Sequence, residues 1–242
     1  MLGRKKFPHV LLLHAGGLDG RMWHPLAERL KDGYRLHMPD LRGHGDTPLP
    51  EEEFANAEDL VRLLDRLKIK RAAVIGASFG GWVALQLATL APERVTGLAL
   101  MASAFDLGEW SPELDAFRAE EEALLEAGDI DGAVELGLRT WVREPQITDL
   151  VADMSRKAFE LQQGVDVHLR ELPVDLAAIG VPTLAVSGGR DFPDFARIAD
   201  RIAAEVPGAE RAEIADAGHL IALERPDESA ELLRPWLQRV RA

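Results

Sequence analysis

The sequence predicts an α/β fold, in which a mostly or entirely parallel sheet of about six strands carries helices on both faces. Short apolar runs, such as residues 9–14 and 95–102, alternate with longer stretches whose apolar residues recur at helical spacing. Continuous apolar runs are typical of parallel strands that are buried on both faces. Ligands of such sheets bind beyond the carboxyl ends of the strands, so the residues that follow each strand are the candidates for function.

The first part of the chain contains four predicted strands and three helices. Apolar residues repeat at helical spacing near residues 22–30, 54–67 and 82–90. The predicted strands are residues 9–14, 34–38, 72–75 and 95–102.

The alternation of strands and helices stops after the fourth strand. Three helical patterns follow one another, beginning near Ser111-Pro112, Val134 and Ile147, and the third ends at Gly164. We therefore expect residues 105–172 to form a helical cap over the strand ends, on a core of residues 1–104 and 173–242. An ordinary helical flank of the sheet is the alternative interpretation.

The alternation then resumes. Residues 182–187 and 210–214 are predicted strands, and apolar residues at helical spacing follow each of them, near residues 196–206 and 232–240. These two units complete a sheet of six strands.

Composition excludes several functions. The chain has 242 residues, of which 47% are hydrophobic and 29% charged, as expected for one globular domain. Its net charge of −13 argues against nucleic acid or an anionic membrane as a partner. The absence of cysteine excludes disulfides, a thiol nucleophile and thiolate metal ligands. No apolar run is long enough to span a membrane or to form a leader peptide, so we expect a cytoplasmic protein. We also expect a monomer or homodimer that uses no metal and no cofactor.

The segment Gly76-Ala-Ser-Phe-Gly80 is the strongest chemical signal in the chain. A predicted strand precedes it and a long apolar helix follows, so Ser78 would lie at the apex of a sharp turn. Glycines flank the serine because a side chain there would collide with a neighbouring element. The N–H groups of the following helix would face a carbonyl oxygen bound beside Ser78.

A serine hydroxyl becomes a nucleophile only with a base, and the base needs an acid to orient it. His219 has the best position for the base, in a glycine-preceded loop after the last strand. Asp191 follows the fifth strand, and Asp106 and Asp194 are the alternative acids. The remaining histidines we expect to hold loops together or to be structural or exposed: His14 and His44 near strand ends, and His9, His24, His37 and His168 elsewhere.

These motifs together resemble those of the α/β-hydrolase superfamily over nearly the whole chain. Ser78, Asp191 and His219 occur in the chain order of that fold. Three further segments are similar to its motifs. Residues 14–17 are similar to the oxyanion loop, with Ala15 in place of the usual glycine. Residues 40–45 are similar to the loop after the second strand, and residues 218–226 to the histidine loop. Only about eight residues precede the first strand, so the sheet would lack the N-terminal strand pair that the family usually has.

The resemblance implies a role for each motif residue. Ser78 would be the nucleophile, His219 the general base and then acid, and Asp191 the carboxylate that orients the histidine. The backbone N–H groups of Gly16 and Phe79 would form the oxyanion hole. The chain looks similar to small lidded carboxylesterases and 3-oxoadipate enol-lactonase-like proteins, which favours a serine hydrolase acting on a small ester or lactone through an acyl-enzyme.

Two other functions remain open. The same three residues could perform carbon–carbon bond hydrolysis of a dienone acid or cofactor-free oxygenation, since fold does not fix function. A carboxylated substrate would then need an arginine, for which Arg143, Arg156 and Arg190 are candidates. A non-catalytic ligand receptor is the third hypothesis. For the ester or lactone hydrolase, aromatic residues of the cap could supply an apolar wall of the pocket, and packing within the cap or core is the alternative role; these residues are Phe105, Trp110, Phe117, Trp141 and Phe159.

Overall fold

A single parallel sheet organises the computed structural model, which describes residues 7–165 and 168–241. The strand order is β2-β1-β3-β4-β5-β6, and every neighbouring pair is parallel. The predicted parallel sheet of six strands is thus confirmed. The strands are β1 His9–Leu13, β2 Arg35–His37, β3 Ala72–Ala77, β4 Val95–Met101, β5 Thr183–Gly188 and β6 Glu210–Ile214.

Helices surround this sheet. The long apolar helix α3 packs against β3 and β4, α7 packs against β5, and α1 packs against α9. The helices are α1 His24–Leu30, α2 Asn56–Arg66, α3 Phe79–Leu90, α4 Pro112–Glu126, α5 Ile130–Trp141, α6 Thr148–Gln162, α7 Pro193–Glu205, α8 Ile221–Glu224 and α9 Pro226–Arg239. Among the described residues, none of the helices is both long and apolar enough to cross a membrane.

The sheet is buried at its centre and exposed at its edges. Every residue of β3, β4 and β5 is buried, whereas β2 and β6 are partly exposed. The chain runs outward from β1 to β2 and then crosses back to β3, so the strand order reverses between β1 and β3. A crevice forms beyond the carboxyl ends of the strands at such a reversal. Residues 14–17 and Ser78 follow these two strands and meet there.

Two predicted helices begin later than their apolar patterns suggested. The pattern from Met22 starts as a 3-10 turn, and the α-helix begins only at His24, where Pro25 fits the first turn because its missing N–H has no partner to lose. Phe54 is not helical because its N–H donates to the His168 carbonyl and its own carbonyl accepts from Arg170 N, at 3.0 and 2.7 Å.

Three consecutive helices, α4 to α6, lie between β4 and β5, within residues 105–172, which we call the inserted segment. The segment is tied to the rest of the chain by side chains at several points. Ser111, at the start of α4, donates to the Asp194 carboxylate of α7 (2.6 Å), and Gln162 at the end of α6 donates to the Gly43 carbonyl (3.0 Å). These bonds hold the three helices next to the loops that follow the strands.

Candidate active site

Ser78 lies at the turn between β3 and α3 with φ 48° and ψ −116°, a backbone conformation that is costly for a residue with a side chain. The neighbouring glycines make this turn possible. A Cβ on Gly76 would lie 2.4 Å from the Gly80 carbonyl oxygen, and a Cβ on Gly80 would lie 2.1 Å from the Leu13 carbonyl oxygen. The Ser78 amide donates to the Met101 carbonyl (3.1 Å), which helps to hold the strained residue in place.

Asp191 and His219 form a buried pair. The Nδ1 atom of His219 lies 2.8 Å from the Asp191 carboxylate, and the two side chains are 7% and 1% exposed. The rival acids lie elsewhere: Asp106 is exposed, and the buried Asp194 carboxylate accepts hydrogen bonds from Ser111. Of the three candidate carboxylates, the structure therefore brings Asp191 to the histidine.

Aromatic rings enclose the imidazole of His219. The Trp141 ring centroid is 4.5 Å from that of His219, and the Phe195 centroid is 4.2 Å away. Trp141 belongs to α5 of the inserted segment, whereas Phe195 belongs to α7. The segment therefore contacts the candidate base directly.

Gly16 and Phe79 lie close together, as an oxyanion hole requires. A Cβ on Gly16 would be 3.6 Å from the Phe79 Cβ. The amides on either side of Gly16 are used within the protein, since Ala15 N donates to the Met22 sulfur (3.3 Å) and Gly17 N donates to His44 Nε2 (3.2 Å). Gly16 and Phe79, the first residue of α3, both line the same cavity.

His14 and His44 hold loops together. His14 Nε2 accepts from Leu41 N (2.9 Å) while its Nδ1 donates to the Ala15 carbonyl (2.8 Å). His44 Nε2 accepts from Gly17 N, and its Nδ1 donates to the Arg42 carbonyl (2.9 Å). Each ring must be neutral to accept such a bond. Burial lowers the pKa of both rings, to about 4 for His14. The other four histidines do not belong to this cluster of loops. His9 and His37 form a hydrogen bond with each other, and His24 and His168 are exposed.

The buried His14 should make stability depend on pH. Its pKa is about 4 in the folded chain and about 6.5 when unfolded, so only the unfolded chain takes up a proton between these values. We expect the free energy of unfolding to fall by up to about 3 kcal/mol as the pH drops through this window, and to be restored above it. Urea unfolding at several pH values should show a shallower dependence for His14→Gln, whose amide can still accept from Leu41 N. An equal slope in both proteins would contradict this role.

A cavity of about 520 Å³ joins these groups. Ser78, His219, Gly16 and Phe79 all line it, and so do residues of all three helices of the inserted segment. Of the five aromatic residues predicted from the sequence, four line the cavity: Trp110, Phe117, Trp141 and Phe159.

The prediction for Phe105 was wrong. Phe105 is absent from the cavity wall, and its ring packs edge-on against Trp82, with centroids 5.6 Å apart. The guanidinium of Arg201 covers the ring at 4.8 Å. Its neighbour Ala104 faces the cavity instead.

The predicted arginines also lie outside the cavity wall. Arg156 pairs with the exposed Asp131, Arg143 packs against Gly218, and Arg190 is absent from the residues that line the cavity. Two other arginines line the cavity. Arg42 is paired with Asp59 at 2.8 Å, and the Arg118 guanidinium lies 4.4 Å above the Trp110 ring.

Asn56, a further polar residue of the cavity wall, was not anticipated from the sequence. It opens α2, is 3% exposed, and its Oδ1 has no hydrogen-bond partner among the described residues. A buried amide oxygen without a hydrogen bond lowers stability unless a bound molecule or water donates a hydrogen bond to it. Its position one turn before Leu60, on the apolar face of the helix, was the available signal. The described residues contain no cluster of three or more side chains that could hold a metal ion.

Comparisons with known proteins find similar sequences and a similar solved structure. A sequence model described as the alpha/beta hydrolase family matches residues 10–232. A pimeloyl-(acyl-carrier protein) methyl ester esterase of Aeromonas salmonicida (strain A449) is 29% identical, with 94% of each chain covered. The 3-oxoadipate enol-lactonase 1 of Acinetobacter baylyi is 25% identical, covering 98% of this chain and 91% of the relative. The solved structure of a thermophilic esterase from Thermogutta terrifontis is similar at a TM-score of 0.80 and 25% identity, covering 97% of this chain and 91% of that one.

Proposed function

The chain belongs to the alpha/beta hydrolase family, and on that premise we propose that it is a serine hydrolase cleaving a small carboxylic ester or lactone. The observation that carries the proposal is the buried Asp191–His219 pair, which opens onto the same cavity as the strained Ser78. The similar esterase and enol-lactonase have names that describe cleavage of the same bond, between an acyl carbon and an oxygen.

The proposed reaction has two halves. Ser78 Oγ attacks the acyl carbon while His219 Nε2 takes the hydroxyl proton, and the Asp191 carboxylate stabilises the imidazolium through Nδ1–H. The amides of Gly16 and Phe79 stabilise the negative charge on the carbonyl oxygen. Collapse of the tetrahedral intermediate breaks the bond to the leaving alcohol, which His219 protonates. Water, deprotonated by His219, then attacks the acyl-enzyme and releases the acid and Ser78.

The inserted segment is proposed to act as a cap. Residues of all three of its helices line the cavity, and its Trp141 covers the His219 ring. A cap of this kind shields the reacting groups from bulk solvent, while still admitting the water that hydrolyses the acyl-enzyme, and it limits the length of the acyl group. The cavity wall is mostly aromatic and aliphatic. Besides Ser78 and His219, its polar exceptions are Arg42, His44, Asn56, Arg118, Glu121, Ser155 and Gln162. Preferred substrates would thus have a small apolar acyl group, with a hydrogen-bonding group accepted where it reaches Asn56.

A carbon–carbon bond hydrolase of a dienone acid is the second candidate. The observation that favours it is Arg118, which lines the cavity and could bind a substrate carboxylate. The test is a panel of chromogenic esters from acetate to decanoate, run beside an enol-lactone and a dienone acid. Turnover of short esters or the lactone supports the first proposal. Rapid turnover of the dienone acid with negligible esterase activity supports the second. Binding without any turnover would leave a non-catalytic receptor.

Trp141→Ala should change substrate preference. Trp141 is half-buried, lines the cavity and contacts the rings of Phe117 and Phe192 as well as His219. We expect the ratio of kcat/KM for long against short esters to change more than the melting temperature does. If Trp141 served only packing, its loss would cost about 3–5 kcal/mol and lower the melting temperature by roughly 6–20 °C. A large drop in melting temperature with an unchanged chain-length profile would refute the substrate role.

A further inference from the structure

A second buried carboxylate lies beside the histidine loop. Glu224 is 4% exposed and ends α8, five residues after His219. Its Oε2 accepts from Gly218 N at 2.6 Å, and its Oε1 accepts from Arg143 N at 3.4 Å. One carboxylate thus joins the backbone of the histidine loop to the backbone of the inserted segment.

The packing around Gly218 leaves no space for a side chain. A Cβ there would lie 3.1 Å from both oxygens of Glu224 and 2.6 Å from Arg143 Cγ. Gly218 directly precedes His219, and its N–H belongs to the peptide bond between Ala217 and Gly218, so the carboxylate fixes the backbone one residue before the base. The direction in which the imidazole leaves the backbone depends on how this part of the loop is held.

The last residue of α5 and the segment after it contact the same loop in two other ways. Arg225 forms a partly buried ion pair with Glu144 at 2.5 Å, and the Trp141 ring centroid lies 4.5 Å from that of His219. Residues 141–144 and 218–225 therefore contact each other through a ring pair, the hydrogen bond from Arg143 N to the Glu224 carboxylate and an ion pair. The Glu224 carboxylate is the contact that also reaches the backbone next to the base.

We propose that Glu224 is a positioning residue for His219, which it fixes through Gly218 N while holding the end of α5 against the same loop. This inference rests on the proposed function, since it assigns Glu224 a task in serine hydrolysis. Displacing the base by even about 1 Å from the serine hydroxyl can lower the rate about 100-fold. The hydrogen bond that fixes the backbone beside His219 can therefore affect kcat.

The carboxylate is suited to this task because it offers acceptors on both oxygens. A glutamine offers one oxygen and turns an NH₂ group towards the other backbone N–H, which cannot accept from it. Burial raises the pKa of Glu224, against the opposing effects of the Gly218 and Arg143 amides and of the Arg225 and Arg143 charges. Both of its oxygens accept backbone hydrogen bonds, which opposes the effect of burial.

Glu224→Gln is the decisive variant, compared with Asp194→Asn as a matched control. Asp194 is also a fully buried carboxylate that ties the inserted segment to the core, through Ser111, but it does not contact the histidine loop by any described hydrogen bond. For a short ester we expect Glu224→Gln to lower kcat by roughly 10- to 100-fold, with KM changed by less than about threefold. Asp194→Asn should lower the melting temperature comparably and leave kcat within about threefold.

A second readout isolates the nucleophile and base from substrate binding. The rate at which a small organophosphonate inactivates Ser78 should fall in Glu224→Gln in proportion to kcat and stay unchanged in Asp194→Asn. If Glu224→Gln does not fold, Glu224→Asp keeps the charge, is one methylene too short to reach both amides, and should show the same loss. Wild-type kcat and inactivation rate in a folded Glu224 variant, or an equal kcat loss in Asp194→Asn, would overturn the inference. Absence of turnover and of phosphonate labelling in the unmodified protein would instead defeat the proposed function.

Discussion

Ser78→Ala is expected to lower kcat by roughly 10⁴-fold or more, because only the oxyanion amides and substrate binding would then stabilise the transition state. The loss should not come from unfolding. The turn is shaped by Gly76 and Gly80, which approach neighbouring carbonyls closely, and by the Ser78 backbone, whose amide and carbonyl bonds the alanine retains. Alanine also has the smaller side chain in a half-buried site.

The control for this variant is Ser155→Ala. Ser155 lies on α6 and lines the same cavity, so its replacement removes a cavity hydroxyl without changing the turn between β3 and α3. After treatment with an organophosphonate, mass spectrometry should find a single adduct, on Ser78, in the unmodified protein and in Ser155→Ala. Retained esterase activity in Ser78→Ala, or an adduct on another residue, would remove Ser78 from its proposed role.

The turn at Ser78, the parallel sheet and the family resemblance could be predicted because the sequence patterns that indicate them are local. Glycines two residues on either side of Ser78, a buried strand before and an apolar helix after it together describe one continuous turn. The strands are continuous apolar runs, which need no tertiary information to be recognised. The family match over residues 10–232 confirms the predicted resemblance.

The cavity wall could be predicted only in part, because a sequence pattern does not show in which direction a side chain points. After β4, Ala104 lines the cavity, whereas the ring of Phe105, the next residue, packs against Trp82. No sequence pattern distinguishes these two directions in a segment without regular secondary structure. Arg118 lies four residues after Leu114 on α4, and both line the cavity, so this helical spacing could have placed Arg118 at the wall.

The choice of acid was open for a different reason. Three aspartates follow a strand or begin a helix, and only the tertiary structure distinguishes them. Because β5 and β6 are neighbours in the sheet, the loops after them meet, and Asp191 reaches His219 there. Asp194 is only three residues further on, yet its carboxylate is turned towards Ser111.

Asp191→Asn is the second variant for which we expect a very large effect. In the unmodified protein the carboxylate accepts from His219 Nδ1–H at 2.8 Å, which leaves Nε2 free to take the serine proton. An asparagine amide can instead donate to Nδ1, so the ring proton moves to Nε2 and the base is blocked. We expect kcat to fall by about 10³- to 10⁴-fold with the geometry retained.

The rival carboxylates provide the comparison for that variant. Asp106→Asn changes an exposed side chain, and Asp194→Asn changes a buried one bonded to Ser111, so both should cost far less in kcat than Asp191→Asn. Steady-state kinetics on one short ester, with melting temperatures for all three variants, separates a catalytic loss from a folding loss. Because Asn and Asp have nearly the same shape, Asp191→Asn should keep its melting temperature within a few degrees while losing almost all turnover. If Asp106→Asn were instead the variant that abolishes turnover, the orienting acid would follow β4 and the observed Asp191–His219 bond would have no catalytic part.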